Sequence, residues 1–225
     1  MTQTTNVTIP DRDLRQRDLI PPEALAKTDC TVIGVGAVGR QIALQLAAIG
    51  VPQLQLIDFD TVEEVNLATQ GFLHDDLGKA KIQATADLCQ QIYPELEMIE
   101  INDRFRRSQQ EVGNTVFCCV DSIDTRRLIW QSIQDRVQFF CDGRMSGEVI
   151  RVLSVASESG RTHYPSTLFS QGEAFRGACT ARSTIYTANI TAGLMIQQFT
   201  RWLRRLPVDA DLQFNLLSSE LTVNC

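Results

Sequence analysis

The chain has 225 residues, 44% of them hydrophobic and 21% charged, the make-up of one large globular domain or of one domain with an elaboration. Its net charge of −6 argues mildly against nucleic acid as the main partner, with a short basic run at the Arg201-Trp-Leu-Arg204-Arg205 helix edge. No apolar stretch reaches membrane-spanning length, and the polar opening Met1-Thr-Gln-Thr-Thr is not that of a signal peptide. The 7 cysteines include no C-x-x-C pair, so neither a zinc clip nor a disulfide framework is indicated, and a reducing cytoplasm is the expected location.

Residues 1–29 form a polar arm in which Pro21-Pro22 precede a short helix through Glu23-Ala-Leu-Ala-Lys27. Strands and helices then alternate. Residues 30–35 read as a buried strand, 37–49 as a helix with Ile42, Leu46 and Ile49 on one face, and 53–58 as a second strand. Residues 79–92 form a helix closed by Pro94. Leu96–Ile101 is a third strand, Thr115–Val120 a fourth, 123–135 a helix and Val137–Cys141 a fifth strand. This order predicts an α/β fold: a doubly wound, mostly parallel Rossmann-like sheet covered on both faces.

The first strand–helix junction reads Gly34-Val-Gly36-Ala-Val-Gly39, a G-x-G-x-x-G turn. Gly34 permits the tight turn, Gly36 lets the backbone approach a phosphate, and Gly39 lets the helix pack on the strand. The free N–H groups and positive end of the helix then face the anion. Asp58, roughly twenty positions after the last glycine, can accept hydrogen bonds from a ribose diol. Strand, helix, second strand and acid together predict an adenine nucleotide; by themselves they suit ATP and NAD equally.

After Asp142 the character changes, dividing a nucleotide-binding core over 30–142 from an extension over 143–225. Glu148–Ala156 alternates apolar and polar residues, as a half-exposed antiparallel strand does. Residues 157–178 are polar with little periodicity and read as a long crossover loop. Thr184–Leu206 reads as one long helix, and Leu212–Val223 as a terminal hairpin around Ser218-Ser219.

A second cluster runs Asp58-Phe-Asp60-Thr-Val-Glu-Glu-Val-Asn66-Leu-Ala-Thr69-Gln70 and on to Gly78-Lys79-Ala-Lys81; a third is Cys119-Val-Asp121-Ser-Ile-Asp124-Thr-Arg126-Arg127. Here the chain resembles the ThiF/MoeB-like superfamily of adenylating enzymes, relatives of the ubiquitin-activating enzymes. That pattern is the glycine turn, D-x-D-x-V-x-x-x-N-L-x-R-Q, G-x-x-K and a strand ending in D-x-x-D, followed here from about residue 28 to about residue 156. The segment from Cys179 to Gly193 is similar to a later part of the same pattern.

The resemblance implies a single adenylation domain over 1–225 that uses ATP and Mg²⁺. In it Gly34, Gly36 and Gly39 cradle the nucleotide, Asp58 holds the ribose with Asp60 beside it, and Asn66 and Gln70 lie beside the phosphates. Lys81 neutralises phosphate charge, Asp121 positions Mg²⁺, and Cys179 is a candidate nucleophile. Arg15 is a candidate to reach the nucleotide of a partner subunit in a homodimer. There are two departures: Thr69 stands where the pattern has arginine, with Arg126, Arg127 and Arg144 as candidate substitutes, and the zinc-binding C-x-x-C pairs are absent.

Three readings follow. The first is an ATP-dependent adenylyltransferase that activates the C-terminal carboxylate of a small ubiquitin-like or sulfur-carrier protein, or of a peptide. The second is an ATP-binding but catalytically weakened partner subunit or scaffold, motivated by Thr69 and the missing zinc site. The third is an NAD-dependent oxidoreductase, although His74 and His163, the only histidines, stand in no pattern that suggests a proton donor beside a hydride acceptor.

Overall fold

The computed structural model describes residues 11–107, 111–169 and 184–224. A short helix, Pro22–Leu25 (α1), leads into the strand Asp29–Ile33 (β1), the helix Ala37–Ile49 (α2) and the strand Gln53–Ile57 (β2). Then come Glu64–Gln70 (α3), Lys81–Ile92 (α4), Glu97–Ile101 (β3), Thr115–Cys118 (β4) and Ile123–Ile133 (α5). The remainder is Phe139–Ser146 (β5), Val149–Val155 (β6), Glu158–Ser166 (α6), Ile185–Leu203 (α7), Asp211–Asn215 (β7) and Glu220–Asn224 (β8).

All eight strands join one sheet in the order β3-β2-β1-β4-β5-β6-β7-β8. The pairings from β3 to β5 are parallel and those from β5 to β8 antiparallel. The strand order reverses between β1 and β4, where a crevice opens at the carboxyl ends of the strands.

Alternation along the strands divides the core into two layers. Phe117, Phe139, Cys141, Ile150 and Val152 pack with Ile42 and Leu46 of α2 and with Met195 and Phe199 of α7. On the other face Val116, Cys118, Phe140, Leu153 and Val155 meet Ile129, Trp130 and Ile133 of α5 and Tyr164 of α6. Helices on both faces of a largely parallel sheet make the fold doubly wound, as the sequence predicts.

Two expectations are corrected. Residues 157–178 are not one irregular crossover: α6 fills 158–166, capped by Ser157, whose hydroxyl accepts the Gly160 N–H at 3.4 Å. Only Gly160 and Tyr164 of this helix are buried, so it carries almost no apolar periodicity to read. Residues 170–178, the rest of that stretch, lie outside the described residues, as does Cys179. The fifth strand runs past Cys141 to Ser146, because β6 pairs antiparallel with it along Phe140–Ser146 and holds polar residues in the ladder.

The arm before α1 is docked rather than loose. Arg12 donates to the carbonyls of Ala47 and Ala48 at 3.2 and 2.9 Å, and Gln16 to that of Ile49 at 3.1 Å. These side chains add donors to carbonyls in the last turn of α2, of which that of Ala47 also accepts the Gly50 N–H at 3.2 Å. Arg15 in the same stretch is exposed. It stands at the end of α2 remote from the glycine turn, about 20 Å away along the helix.

Candidate functional site

β1 delivers the chain into the glycine turn. Gly34 has φ +88°, and a Cβ there would lie 2.9 Å from the backbone carbonyl carbon and oxygen of Cys119. A side chain is excluded twice, by conformation and by space. Gly39 has a different reason: a Cβ on it would fall 1.8 Å from the Gly34 carbonyl oxygen, so the helix packs on the turn only without one. Gly36 faces open space, with nothing nearer a Cβ than Gln70 Oε1 at 3.9 Å. It is the N-cap residue of α2, and no side chain caps that end. The helix therefore presents unsatisfied N–H groups to the crevice, as an anion requires.

Asp58 fixes this turn from the end of β2. Its Oδ2 accepts the Val35 N–H at 2.6 Å and its Oδ1 accepts the Asp60 N–H at 2.8 Å. An ionised carboxylate has about four acceptor positions, so two hydrogen bonds leave capacity for a ribose diol. The sequence suggested only the ribose role; the tie to Val35 joins β2 to the glycine turn and comes with the fold.

Beside the turn an open cleft of ≈ 340 Å³ is lined by Phe59, Asp60, Thr61, Glu63, Asn66 and Lys81. Asn66 sits in the first turn of α3 and accepts the Glu63 N–H on Oδ1 at 2.9 Å, so the cap fixes its amide. Among the described residues its NH₂ has no partner. Lys81 is the first residue of α4, with a side chain 8% exposed, and its Nζ lies 2.9 Å from Asp60 Oδ2. Its backbone N–H also donates to the Asp60 carbonyl at 2.9 Å. A cation at a helix N-terminus opposes the dipole, and an anion in the cleft relieves that conflict. The exposed ring of Phe59 carries the Arg104 guanidinium 4.4 Å from its centroid.

β4 ends next to the turn, the Cys119 N–H donating to the Ile33 carbonyl at 2.8 Å, and Asp121 follows on the same edge. Asp121 is exposed and is not the cap of α5. Ser122 takes that role, accepting the Thr125 N–H at 3.4 Å. Among the described residues the Asp121 carboxylate has no hydrogen-bond partner. A free oxygen donor beside the glycine turn fits Mg²⁺, which takes oxygen ligands and shares them with substrate phosphates.

The structure thus brings Gly34, Gly36, Gly39, Asp58, Asp60, Asn66, Lys81 and Asp121 to the carboxyl edge of the sheet around the switch point. Gln70 joins them from the end of α3, its Oε1 buried, without a partner among the described residues, and turned toward Gly36. Thr69 does not contribute charge; its hydroxyl donates to its own helix, at the Val65 carbonyl, 3.1 Å. Arg15 stands apart from this cluster.

The arginines considered as substitutes for the cation at position 69 are engaged elsewhere. Arg126 pairs with the fully buried Asp142 and donates to the Val120 and Gly143 carbonyls. Arg144 pairs with the other oxygen of Asp142 at 2.8 Å and donates to Thr167. Tyr164 completes the knot, its hydroxyl donating to Asp142 at 2.9 Å, and burial pushes its pKa up. Arg127 reaches Asp124 at 2.8 Å and the Leu168 and Phe169 carbonyls. Sequence reading could not foresee this cluster, because its members come from β5, α5 and α6, which only the fold brings together.

Burial pushes the thiols of Cys30, Cys89 and Cys141 up to about 12 and raises those of Cys118 and Cys119 as well. They are packing residues and poor nucleophiles.

A model of the ThiF family matches residues 12–222. The chain is 34% identical to the molybdopterin-synthase adenylyltransferase of Salmonella typhimurium over 119 residues, covering 50% of this chain and 47% of that protein. It is 33% identical to the NEDD8-activating enzyme E1 catalytic subunit of Caenorhabditis elegans over 126 residues, covering 54% of this chain and 29% of that one. With ubiquitin-like modifier-activating enzyme 5 of Arabidopsis thaliana it shares 25% identity over 210 residues, 80% of this chain and 48% of that one. The chain therefore spans about half, or less, of the length of these curated relatives. Among solved structures, PaaA superposes with a TM-score of 0.72 at 19% identity, covering 90% of this chain and 74% of that one. Escherichia coli MccB with ATP superposes with a TM-score of 0.74 at 14% identity, covering 96% and 71%. At such identities the two structures speak for the fold alone. With the family match running nearly from end to end over the glycine turn, the cleft and Asp121, the chain belongs to the ThiF family.

Proposed function

We propose that this chain is one adenylation domain that uses ATP to activate a C-terminal carboxylate. The acceptor is a small ubiquitin-like or sulfur-carrier protein, or a peptide. The observation that carries the reading is Lys81: a nearly buried cation at a helix N-terminus, opening on a cleft beside the uncapped N-terminus of α2. Both features favour the oxygens of a polyphosphate, and charge on those oxygens is what the reaction increases.

In the reaction a carboxylate oxygen bonds to the α-phosphorus, the bond from that phosphorus to the bridging oxygen of pyrophosphate breaks, and an acyl-adenylate results. The glycine turn and the N–H groups of α2 hold the phosphates, while Asp58, clamped by Val35 and Asp60, orients the ribose. Asn66 offers its free NH₂ to a phosphate oxygen, and Lys81 exchanges Asp60 for a phosphate. Asp121 would hold Mg²⁺, which supplies charge neutralisation for the departing pyrophosphate. We place the protein in the cytoplasm as a homodimer, with the exposed Arg15 reaching the partner's nucleotide. Among the described residues no helix is long and apolar enough to cross a membrane.

Membership of the ThiF family speaks for ATP over NAD as the nucleotide. The names of the relatives, which include adenylyltransferases and activating enzymes, support the reaction class. A second reading, an ATP-holding subunit with weak turnover, is favoured by one observation: Thr69 is neutral and Arg126, Arg127 and Arg144 are all engaged elsewhere. Pyrophosphate exchange into ATP, measured with candidate carriers, tests the proposal. Exchange that needs a carrier with a free C-terminus supports it. Tight Mg·ATP binding without exchange for any carrier favours the second reading, and binding of NAD⁺ with indifference to ATP rejects both.

A further inference from the structure

Arg40 directly follows the last glycine of the turn, and the function proposed above gives it no role. Its side chain is fully buried. Nε donates to the Gly71 carbonyl at 3.2 Å, one NH₂ nitrogen to Thr85 Oγ1 at 3.1 Å, and the guanidinium lies 4.2 Å above the Phe72 ring. Among the described residues the remaining NH₂ nitrogen is buried with no partner. Among the described residues no carboxylate is within ion-pair distance. Asp76, the acid whose field acts on it, is already held by Lys79 Nζ at 3.2 Å and by the Leu73 N–H at 3.0 Å. Burying a guanidinium without an ion-pair partner is costly, and a Leu or Met of similar length would fill the space without that cost. The charge needs a reason.

The groups it touches suggest one. Arg40 itself is one turn inside α2, the helix that opens at Gly36. Gly71 is the C-cap of α3, the helix that carries Asn66, Thr69 and Gln70. Thr85 stands one turn along α4 from Lys81. One side chain thus ties α3 and α4, which carry the lining residues Asn66 and Lys81, to α2, the helix that opens at Gly36. The walls of the cleft are acidic: Asp60 and Glu63 line it and Asp58 adjoins them, while Lys81 is paired with Asp60 and the Arg104 guanidinium lies over the Phe59 ring. A polyphosphate entering there gains from any uncompensated cation in the low-dielectric layer beneath.

We infer that Arg40 is a positioning residue for the polyphosphate, holding α2, α3 and α4 in register and supplying from beneath the turn positive charge that Thr69 does not. The inference rests on the reading that the cleft binds ATP. Its test is calorimetric titration of the full chain with Mg·ATP and, separately, with adenosine. The proteins compared are wild type, Arg40→Met, Arg40→Lys and the double variant Arg40→Met, Thr69→Arg. For Arg40→Met the Mg·ATP dissociation constant rises by at least about tenfold while that of adenosine stays within about twofold. Arg40→Lys keeps the ratio of the two constants near wild type, and Thr69→Arg restores Mg·ATP binding to the Arg40→Met protein. Unchanged Mg·ATP binding in Arg40→Met overturns the inference. So does an equal loss of both ligands without rescue, which would leave Arg40 a packing bolt. If Arg40→Met does not fold, Arg40→Gln takes its place, keeping hydrogen-bond donors but not the charge. Wild-type protein that binds no ATP rejects the nucleotide reading itself, and this inference with it.

Discussion

Lys81 Nζ lies 2.9 Å from Asp60 Oδ2, and the two partners differ sharply in exposure, 8% for the lysine side chain and 47% for the aspartate. The asymmetry predicts opposite consequences for the two deletions. Asp60→Ala leaves a nearly buried ammonium uncompensated and costs about 1–2 kcal/mol, less than a fully buried pair because water reaches the site. Lys81→Met leaves an aspartate that water can solvate and changes stability by less than about 0.5 kcal/mol. Pyrophosphate exchange falls about 10²- to 10³-fold in Lys81→Met, the usual result of removing one group that stabilises developing charge. Urea midpoints and exchange rates for both variants decide this. A Lys81→Met protein with wild-type exchange removes the lysine from the mechanism.

The turn glycines offer a cleaner separation of fold from ligand. Gly39→Ala places a methyl 1.8 Å from the Gly34 carbonyl oxygen, and α2 must shift to admit it. The expected cost is about 3 kcal/mol. Gly36→Ala meets nothing closer than 3.9 Å. It therefore costs the fold far less than Gly39→Ala yet loses nucleotide affinity, because the methyl occupies the space in front of the helix N-terminus. Thermal unfolding paired with titration of Mg·ATP reads both. Undiminished ATP binding in Gly36→Ala would place the phosphates elsewhere.

Legibility in the sequence followed the range of the interactions. The turn and α2 could be read because their determinants are local: fixed glycine spacing and a helical apolar stripe ending at Gly50, whose φ is +87°. α3 was not legible, since it is 7 residues long and buries none of them. α6 was hidden in the same way. The Arg126–Asp142–Arg144–Tyr164 knot was out of reach for another reason, because each member is an ordinary polar residue until β5, α5 and α6 pack. Candidate cations for position 69 could be named from composition, but only packing reveals that they are engaged.

Asp121 tests whether an exposed carboxylate without a described partner serves a metal. Asp121→Asn changes stability by no more than about 0.5 kcal/mol, as expected for a surface site without contacts. It weakens binding of Mg·ATP while leaving metal-free ATP untouched. Its neighbour is the control: Ser122→Ala loses the cap of α5, costs about 1 kcal/mol and leaves nucleotide binding alone. Titrations with and without Mg²⁺ distinguish the two residues. Equal weakening of both ATP forms by Asp121→Asn would argue for a direct phosphate or ribose contact instead.

Asp211 governs the acid limit of the antiparallel half of the sheet. Burial raises its pKa, but the Arg151 fork at 2.9 and 2.7 Å and His163 at 3.1 Å outweigh burial and hold it below the usual carboxylate value. The sign follows. A carboxylate with a depressed folded pKa adds stability that is fully present above its unfolded value of about 3.9 and is lost as pH falls through the folded value. Asp211→Asn is therefore less stable than wild type at pH 7, and the gap narrows as the pH drops below about 4, where the wild-type carboxylate takes up its proton. Urea midpoints of the two proteins across that range measure the gap. A gap that stays constant into acid would mean that Asp211 contributes through packing and neutral hydrogen bonds rather than through its charge.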